Sequence, residues 1–380
     1  MSLRRTLWIC FLLAAASPSS ALALTPAAPD TSKASPSVLI VLSSAGRDGG
    51  KTRPGFEMDE LAQAWGIFVD NGLQVKLASP AGGKVEADAY NARDAANARL
   101  LAHAGVMAQL GATARIDELD PAAYDAVYVV GGKGAMLDLA EHPGLAALLG
   151  RVYDRGGLVA AVCHGSAALA EVRLADGRRL IEGRRVTGFS AEEESVFGKK
   201  WSQAFPFVLE DGLRARGARW VEAPLMMPML AVDERLITGQ NPYSTHAVAE
   251  ALVRGLGMTP QPRVPDRDEA SLALLQRALA GSATAVTELA DAPARFHPEL
   301  IGIIGHYQLQ LAQDDAAVRA ALVAMDLAAP YMTAPELSLS RAEAHRRLGR
   351  RDQARSLLDR VLATHPQLPE AQALMRRLDE

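Results

Sequence analysis

The stretch Ala160-Ala161-Val162-Cys163-His164-Gly165-Ser166-Ala167-Ala168-Leu169 decides how this chain is read. Its first residues close an apolar run that starts at Gly157, of the kind that forms a strand buried on both faces of a parallel sheet. After Cys163, the small residues Gly-Ser-Ala-Ala open a helix that can pass close to that strand. A strand, a sharp turn and a helix make an elbow that exposes a nucleophile above a sheet. The helix N-terminus is expected to favour thiolate over thiol. On the residues alone Cys163 has two readings, a reactive nucleophile or a small buried hydrophobe. His164 comes next, and sequence neighbours point apart, so it need not act as the base for Cys163.

Outward from this elbow, strands and helices alternate. Val38–Leu42, Leu73–Ala78 and Asp125–Val130 read as strands. Met58–Asn71, Arg93–Leu110 and Leu145–Asp154 read as helices. Arg185–Thr187 is a short strand, Phe207–Arg216 a helix, Leu230–Thr238 a hairpin turning at Asp233-Glu234, and Ser244–Leu256 a closing helix. This order predicts βαβ units and a mostly parallel sheet, with ligands bound beyond the carboxyl ends of the strands. Val129-Val130-Gly131-Gly132-Lys133-Gly134-Ala135 is a glycine-rich strand exit whose N–H groups could meet an oxyanion or a phosphate. It fits neither the dinucleotide fingerprint nor the P-loop pattern.

Pro260, Pro262 and Pro265 mark a linker over residues 259–267, and everything beyond reads as helix. Two segments there are related by a spacing of 36 residues, His306-Tyr307 to Pro330 and Ala342 to Pro366. The second resembles a tetratricopeptide unit, with Gly349 in the turn, Ala354 at a close helix contact, Leu358 in the core and Pro366 at the end. Such hairpins bury a face only by stacking. A degenerate unit near Ser271–Pro293, or docking on the preceding domain, must therefore complete the core. The alternative is an ordinary helical bundle.

At the other end, Arg4 and Arg5, the apolar run Leu7–Ala16 and Ala21-Leu22-Ala23 form a signal-peptide pattern, cut after Ala23. The apolar run is about half of the roughly 20 residues that span a bilayer. An uncleaved anchor is the alternative. Cleavage predicts a periplasmic or secreted protein with no membrane attachment. Residues 24–36 then form a linker. Of the two cysteines, Cys10 and Cys163, only Cys163 survives cleavage, so an intramolecular disulfide is excluded. The 380 residues are 49% hydrophobic and carry a formal net charge of −4. With no basic stripe, nucleic acid is not an expected partner. His297, His306, His345 and His365 lack ligand spacing, and the Met226-Met227 and Met229 cluster reads as packing, so no metal or cofactor is expected.

Taken jointly, five stretches resemble the PfpI superfamily, whose domain is similar to class I glutamine amidotransferases. They are Gly55-Phe56 with Glu60-Leu61-Ala62, Ala78-Ser79-Pro80 with Gly82-Gly83, Gly131-Gly132, Cys163-His164-Gly165, and Val186-Thr187-Gly188-Phe189-Ser190 with Glu192-Glu193-Glu194. Leu236–Pro242 is also typical. The resemblance covers roughly residues 37–257 and is strongest to the glyoxalase III-like and heat-shock chaperone branch. It implies an α/β, flavodoxin-like, mostly parallel sheet sandwiched by helices over 37–258, ahead of an all-α helical-repeat domain over 268–380. It implies Cys163 as nucleophile, Glu60 as a protonated carboxyl beside its sulfur, His164 as the adjacent imidazole and Glu194 as the acid that orients it, with Glu192 and Glu193 as competitors for that place. The backbone N–H groups of Gly132 and His164 would bind an oxyanion.

The chain departs from the branch at Lys133, where His is usual, at Gln63-Ala64, where His-Pro is common, and at Ser166, where Pro is frequent. Lys133 could contact an anionic substrate. The resemblance implies an enzyme acting on a small reactive carbonyl such as methylglyoxal, giving a 2-hydroxy acid without glutathione. The alternatives are a cysteine hydrolase or hydratase of another small substrate, and a stress chaperone or interaction module whose helical tail takes a peptide or protein. A homodimer is common in the superfamily.

Overall fold

A computed structural model of the chain describes residues 35–379. The signal-peptide pattern, Cys10 and most of the 24–36 linker lie outside the described residues. The central sheet has the order β3-β2-β1-β4-β5-β9-β8. Its strands are β1 (Ser37–Val41), β2 (Gln74–Ser79), β3 (Ala114–Arg115), β4 (Ala126–Val129), β5 (Leu158–Val162), β8 (Leu230–Asp233) and β9 (Leu236–Gly239). All neighbours run parallel except β8, which pairs antiparallel with β9. β4 and β5 are buried along their whole length, as their unbroken apolar sequences require. A second, two-stranded sheet pairs β6 (Arg185–Val186) with β7 (Arg219–Trp220).

The topology explains where the chemistry collects. From β1 the chain first builds outward to β2 and β3, then crosses back to place β4 on the other side of β1. The crevice at such a reversal, beyond the strand ends, is where ligands bind in open α/β sheets. β4 and β5 are adjacent, with Val129 opposite Ala161. Two residues further along each chain, Gly131 therefore meets Cys163. The helix Met58–Asp70 follows β1 and brings Glu60 above the same strand ends.

Two local readings are corrected. The helix expected over Arg93–Leu110 is two helices, Ala95–Ala102 and Ala104–Gly111. His103 breaks it by capping the second, its Nδ1 accepting from the Val106 N–H at 3.2 Å. The segment after Cys163 is a 3-10 stretch, Cys163–Leu169, rather than the start of an α-helix. A short 3-10 turn aligns few peptide dipoles, so the expected macrodipole effect on the thiol gives way to individual N–H groups.

Beyond residue 258 the chain has no regular element until the helix Arg267–Leu279, yet it is pinned. The Gln261 N–H donates to Asn71 Oδ1 at 2.8 Å, and Arg263 pairs with Glu250 and Glu269. Helical hairpins then follow in sequence: Arg267–Leu279 with Thr284–Asp291, Pro298–Leu311 with Asp315–Ala328, and Pro335–Arg347 with Arg351–Thr364, ahead of Pro369–Asp379. Gly349 turns the third hairpin at φ +71°, and Ala354 and Leu358 are fully buried. The degenerate unit near Ser271–Pro293 is thus a real hairpin. Docking contributes as well, because Met227 of the α/β region is part of the hydrophobic core of the helices, beside Leu272, Leu275 and Phe296. Of the methionine cluster, Met227 packs there and Met226 lines the crevice described next.

Candidate active site

Cys163 is held at φ +56°, a left-handed conformation that a non-glycine residue adopts only when its surroundings impose it. The strand is clamped on one side by β4 and on the other by β9, and the turn that follows is fully buried, which supplies that constraint. The left-handed turn also breaks strand alternation. His164 does not point away: its Nδ1 stands 3.6 Å from Cys163 Sγ. Its Nε2 is 2.8 Å from Glu194 Oε2. The ring lies against Phe189, with centroids 4.3 Å apart, and meets the edge of Phe205. Burial lowers the basicity of His164, and the contact with Glu194 raises it in part. A neutral ring that donates from Nε2 to the Glu194 carboxylate leaves Nδ1 as an acceptor facing the thiol.

The three consecutive glutamates have three different places. Glu192 is exposed. Glu193 closes a capping box with Ser190 at the start of Ala191–Phe197, and its Oε1 accepts from Asn241 Nδ2 at 2.8 Å. Glu194, one residue on, turns toward His164. The pattern Ser-x-x-Glu at 190–193 is a capping-box signature legible in the sequence, and it would have assigned Glu193.

Glu60 is fully buried, and its Oε2 accepts from the Gly131 N–H at 2.6 Å. Its Oε1 has no hydrogen-bond partner, and its Oε2 and Cys163 Cβ both crowd the position a Gly131 Cβ would take. Burial pushes Glu60 well above the usual carboxylate range, with the nearby Glu57 adding to it. Burial, then Glu60, likewise push the Cys163 thiol up, while the His164 N–H aimed at the sulfur favours the thiolate. Two acids that repel each other's charge this way keep at least one proton between them at neutral pH. Gly131 makes the approach possible, since a Cβ there would stand 2.7 Å from both Cys163 Cβ and Glu60 Oε2.

Cys163 and His164 open onto a cavity of about 340 Å³, also lined by Gly132, Lys133, Phe189 and Met226 among others. Among the described residues nothing accepts from the Gly132 N–H, which leaves that donor free at the cavity. Lys133 also lines it, close enough to Glu57 and His164 to act on both electrostatically. Cys163, His164, Gly132 and Lys133 line this cavity, while Glu60 and Glu194 stand behind it, against the Gly131 N–H and His164. The sequence reading missed Glu57, Asp59, Asp88, Tyr243 and Asp268, which line it too. Glu57 had a signal, standing one helical turn before Glu60. Its carboxyl is pushed up to about 7, mainly by burial and then by Asp59 and Asp88. Among the described residues no group of three or more His, Cys, Asp or Glu side chains is placed to hold a metal ion.

Residues 52–255 match the DJ-1/PfpI family, and residues 335–376 match a tetratricopeptide repeat. A glutathione-independent glyoxalase of Schizosaccharomyces pombe is 29% identical over 227 residues, 54% of this chain and 88% of the relative. A putative glutathione-independent glyoxalase of the same yeast is 30% identical over 247 residues, 60% of this chain and 96% of the relative. The crystal structure of a 24 kDa rapid encystment protein of Francisella tularensis superposes with a TM-score of 0.54 at 28% identity, covering 58% of this chain and 99% of that one.

Proposed function

The chain belongs to the DJ-1/PfpI family, and on that premise we propose that it is a cysteine-dependent, glutathione-independent glyoxalase that converts an α-oxoaldehyde such as methylglyoxal to a 2-hydroxy acid. The observation that carries this reading is the buried Glu60 carboxyl packed with Cys163 around Gly131, beside a His164 that bridges Cys163 and Glu194 at the cavity. The Cys163 sulfur attacks the aldehyde carbon and its proton passes to the aldehyde oxygen, which forms a hemithioacetal whose developing oxyanion the Gly132 and His164 N–H groups can receive. Glu60 then moves the C–H proton from that carbon to the neighbouring one while the hydroxyl proton passes to the neighbouring oxygen, which turns the hemithioacetal into a thioester of the hydroxy acid. A buried carboxyl held well above the usual carboxylate range suits a relay of this kind. Water, its proton accepted by His164, cleaves the thioester and restores the thiol. The sum is one oxoaldehyde plus one water giving one hydroxy acid, with no external thiol.

Glu60→Gln separates the steps. It keeps a hydrogen-bonding group beside the sulfur but cannot carry the proton. Lactate formation from methylglyoxal should fall by about 10²–10⁴-fold, while iodoacetamide still modifies Cys163. Full lactate formation in Glu60→Gln would remove Glu60 from the reaction.

The match to a tetratricopeptide repeat supports a second role for residues 335–376, as a surface for a peptide or protein. The signal-peptide pattern of residues 1–23 supports export to the periplasm or beyond. Both stand beside the enzymatic reading rather than in place of it.

A further inference from the structure

The cavity around Cys163 is not built by the α/β region alone. Asp268, in the first turn of the first tail helix, lines it together with Asp59, Asp88 and Glu57. Asp268 is held in place by His297, whose Nδ1 is 2.7 Å from its Oδ1. Three more pocket residues lean on the tail. Met226 and Tyr243 pack against its hydrophobic core, and Phe197 meets the edge of Tyr307 at 5.3 Å between centroids. Gln308 Nε2 donates to the Leu225 carbonyl at 2.9 Å and so fixes the loop that carries Met226. The tail thus supplies one wall and braces others. Against these carboxylates, Lys133 is the one lysine or arginine among the residues that line the cavity.

We propose that the helical tail is a working wall of the thiol cavity, and that Asp268 makes the cavity select neutral carbonyl substrates over anionic ones. An anionic α-oxo acid or oxoaldehyde approaching Cys163 must enter a space of about 340 Å³ rimmed by Asp59, Asp88 and Asp268. Inside a space of that size the repulsion acts at less than a Debye length and is only partly screened. Glu193 also lines the cavity, its oxygens engaged by Asn241, Ser190 and Met226, as Asp59 is by Asn97 and Asp88 by the Gly55 N–H; Asp268 is the acid of this lining that the tail supplies. The filter deepens the carbonyl reading and rests on it for its biological meaning, yet it can be measured without any turnover.

The test is the modification rate of Cys163 in the full chain by neutral iodoacetamide and anionic iodoacetate, followed at the Cys163 peptide by mass spectrometry, at pH 8 and low salt. Asp268→Asn should raise the iodoacetate rate by roughly three- to tenfold relative to iodoacetamide, the effect of one partly screened charge at this range. Asp268→Glu should keep the wild-type ratio. In the wild-type chain, added salt should bring the two rates closer. An unchanged ratio in Asp268→Asn, or a salt-independent ratio in the wild type, overturns the proposal. Methylglyoxal turnover is measured alongside. Turnover with an unchanged ratio sinks the filter alone, and a shifted ratio without turnover sinks the carbonyl reading alone.

Discussion

Glu57 and Glu60 sit one turn apart at the start of the same helix, and both are acids that the fold keeps from ionising freely. Their cost is measurable at Glu57. Its folded pKa of about 7 lies well above that of an ordinary glutamate, so the unfolded chain releases the proton first. Stability from this group is complete below the unfolded value and is lost as pH rises through about 7. Glu57→Gln removes the penalty. It should therefore stabilise the protein by about 2 kcal/mol more at pH 8 than at pH 5, read from denaturant unfolding at both values. An equal effect at both would show that burial does not hold Glu57 protonated. At this scale the sequence was legible where a residue stands in a local pattern. Cys163 is announced by its elbow, and Ser190 with Glu193 by the capping box. Glu60 was reached only through family resemblance, because nothing in a helix-surface acid tells that a neighbouring strand will bury it. Asp268 had no signal at all, since its place depends on how the tail docks.

The elements followed from hydrophobic pattern where it was strong. β1, β4 and β5 are unbroken apolar runs, and each forms a strand buried on both faces. The pattern failed where a local competitor intervened. His103 caps a new helix in mid-run, and the residues after Cys163 tighten into a 3-10 turn that no periodicity of seven residues could separate from an α-helix. His164 was misread for a related reason: alternation holds within a strand, but the left-handed Cys163 ends it. The junction of β4 and β5 is where the fold sets the chemistry most tightly. In Gly131→Ala the added methyl meets Cys163, Glu60 and the Val162 carbonyl at 2.7–2.8 Å. Overpacking there should cost about 1–3 kcal/mol in thermal or denaturant unfolding. It should also slow iodoacetamide modification of Cys163, because the sulfur and Glu60 are forced apart. Wild-type stability and reactivity in this variant would mean that the close approach is not required.

At the scale of the whole molecule, a sheet that reverses its winding at β1 and β4 creates the crevice, and a stack of helical hairpins borders it. The division into an α/β part and a helical part was legible from the change in pattern near Pro260. Their joint construction of one cavity was not, because docking leaves no trace in the composition of either part. Residues 35–379 accordingly form one unit, with Met227 shared between the α/β region and the core of the helices. What unites the parts is the thiol at their meeting point. The most direct measurement is lactate release from methylglyoxal by the glutathione-free protein, followed by NMR for the wild type and Cys163→Ala. The wild type should release lactate, and Cys163→Ala should match buffer alone. Lactate at the wild-type rate from Cys163→Ala, or none above buffer from the wild type, would contradict the account.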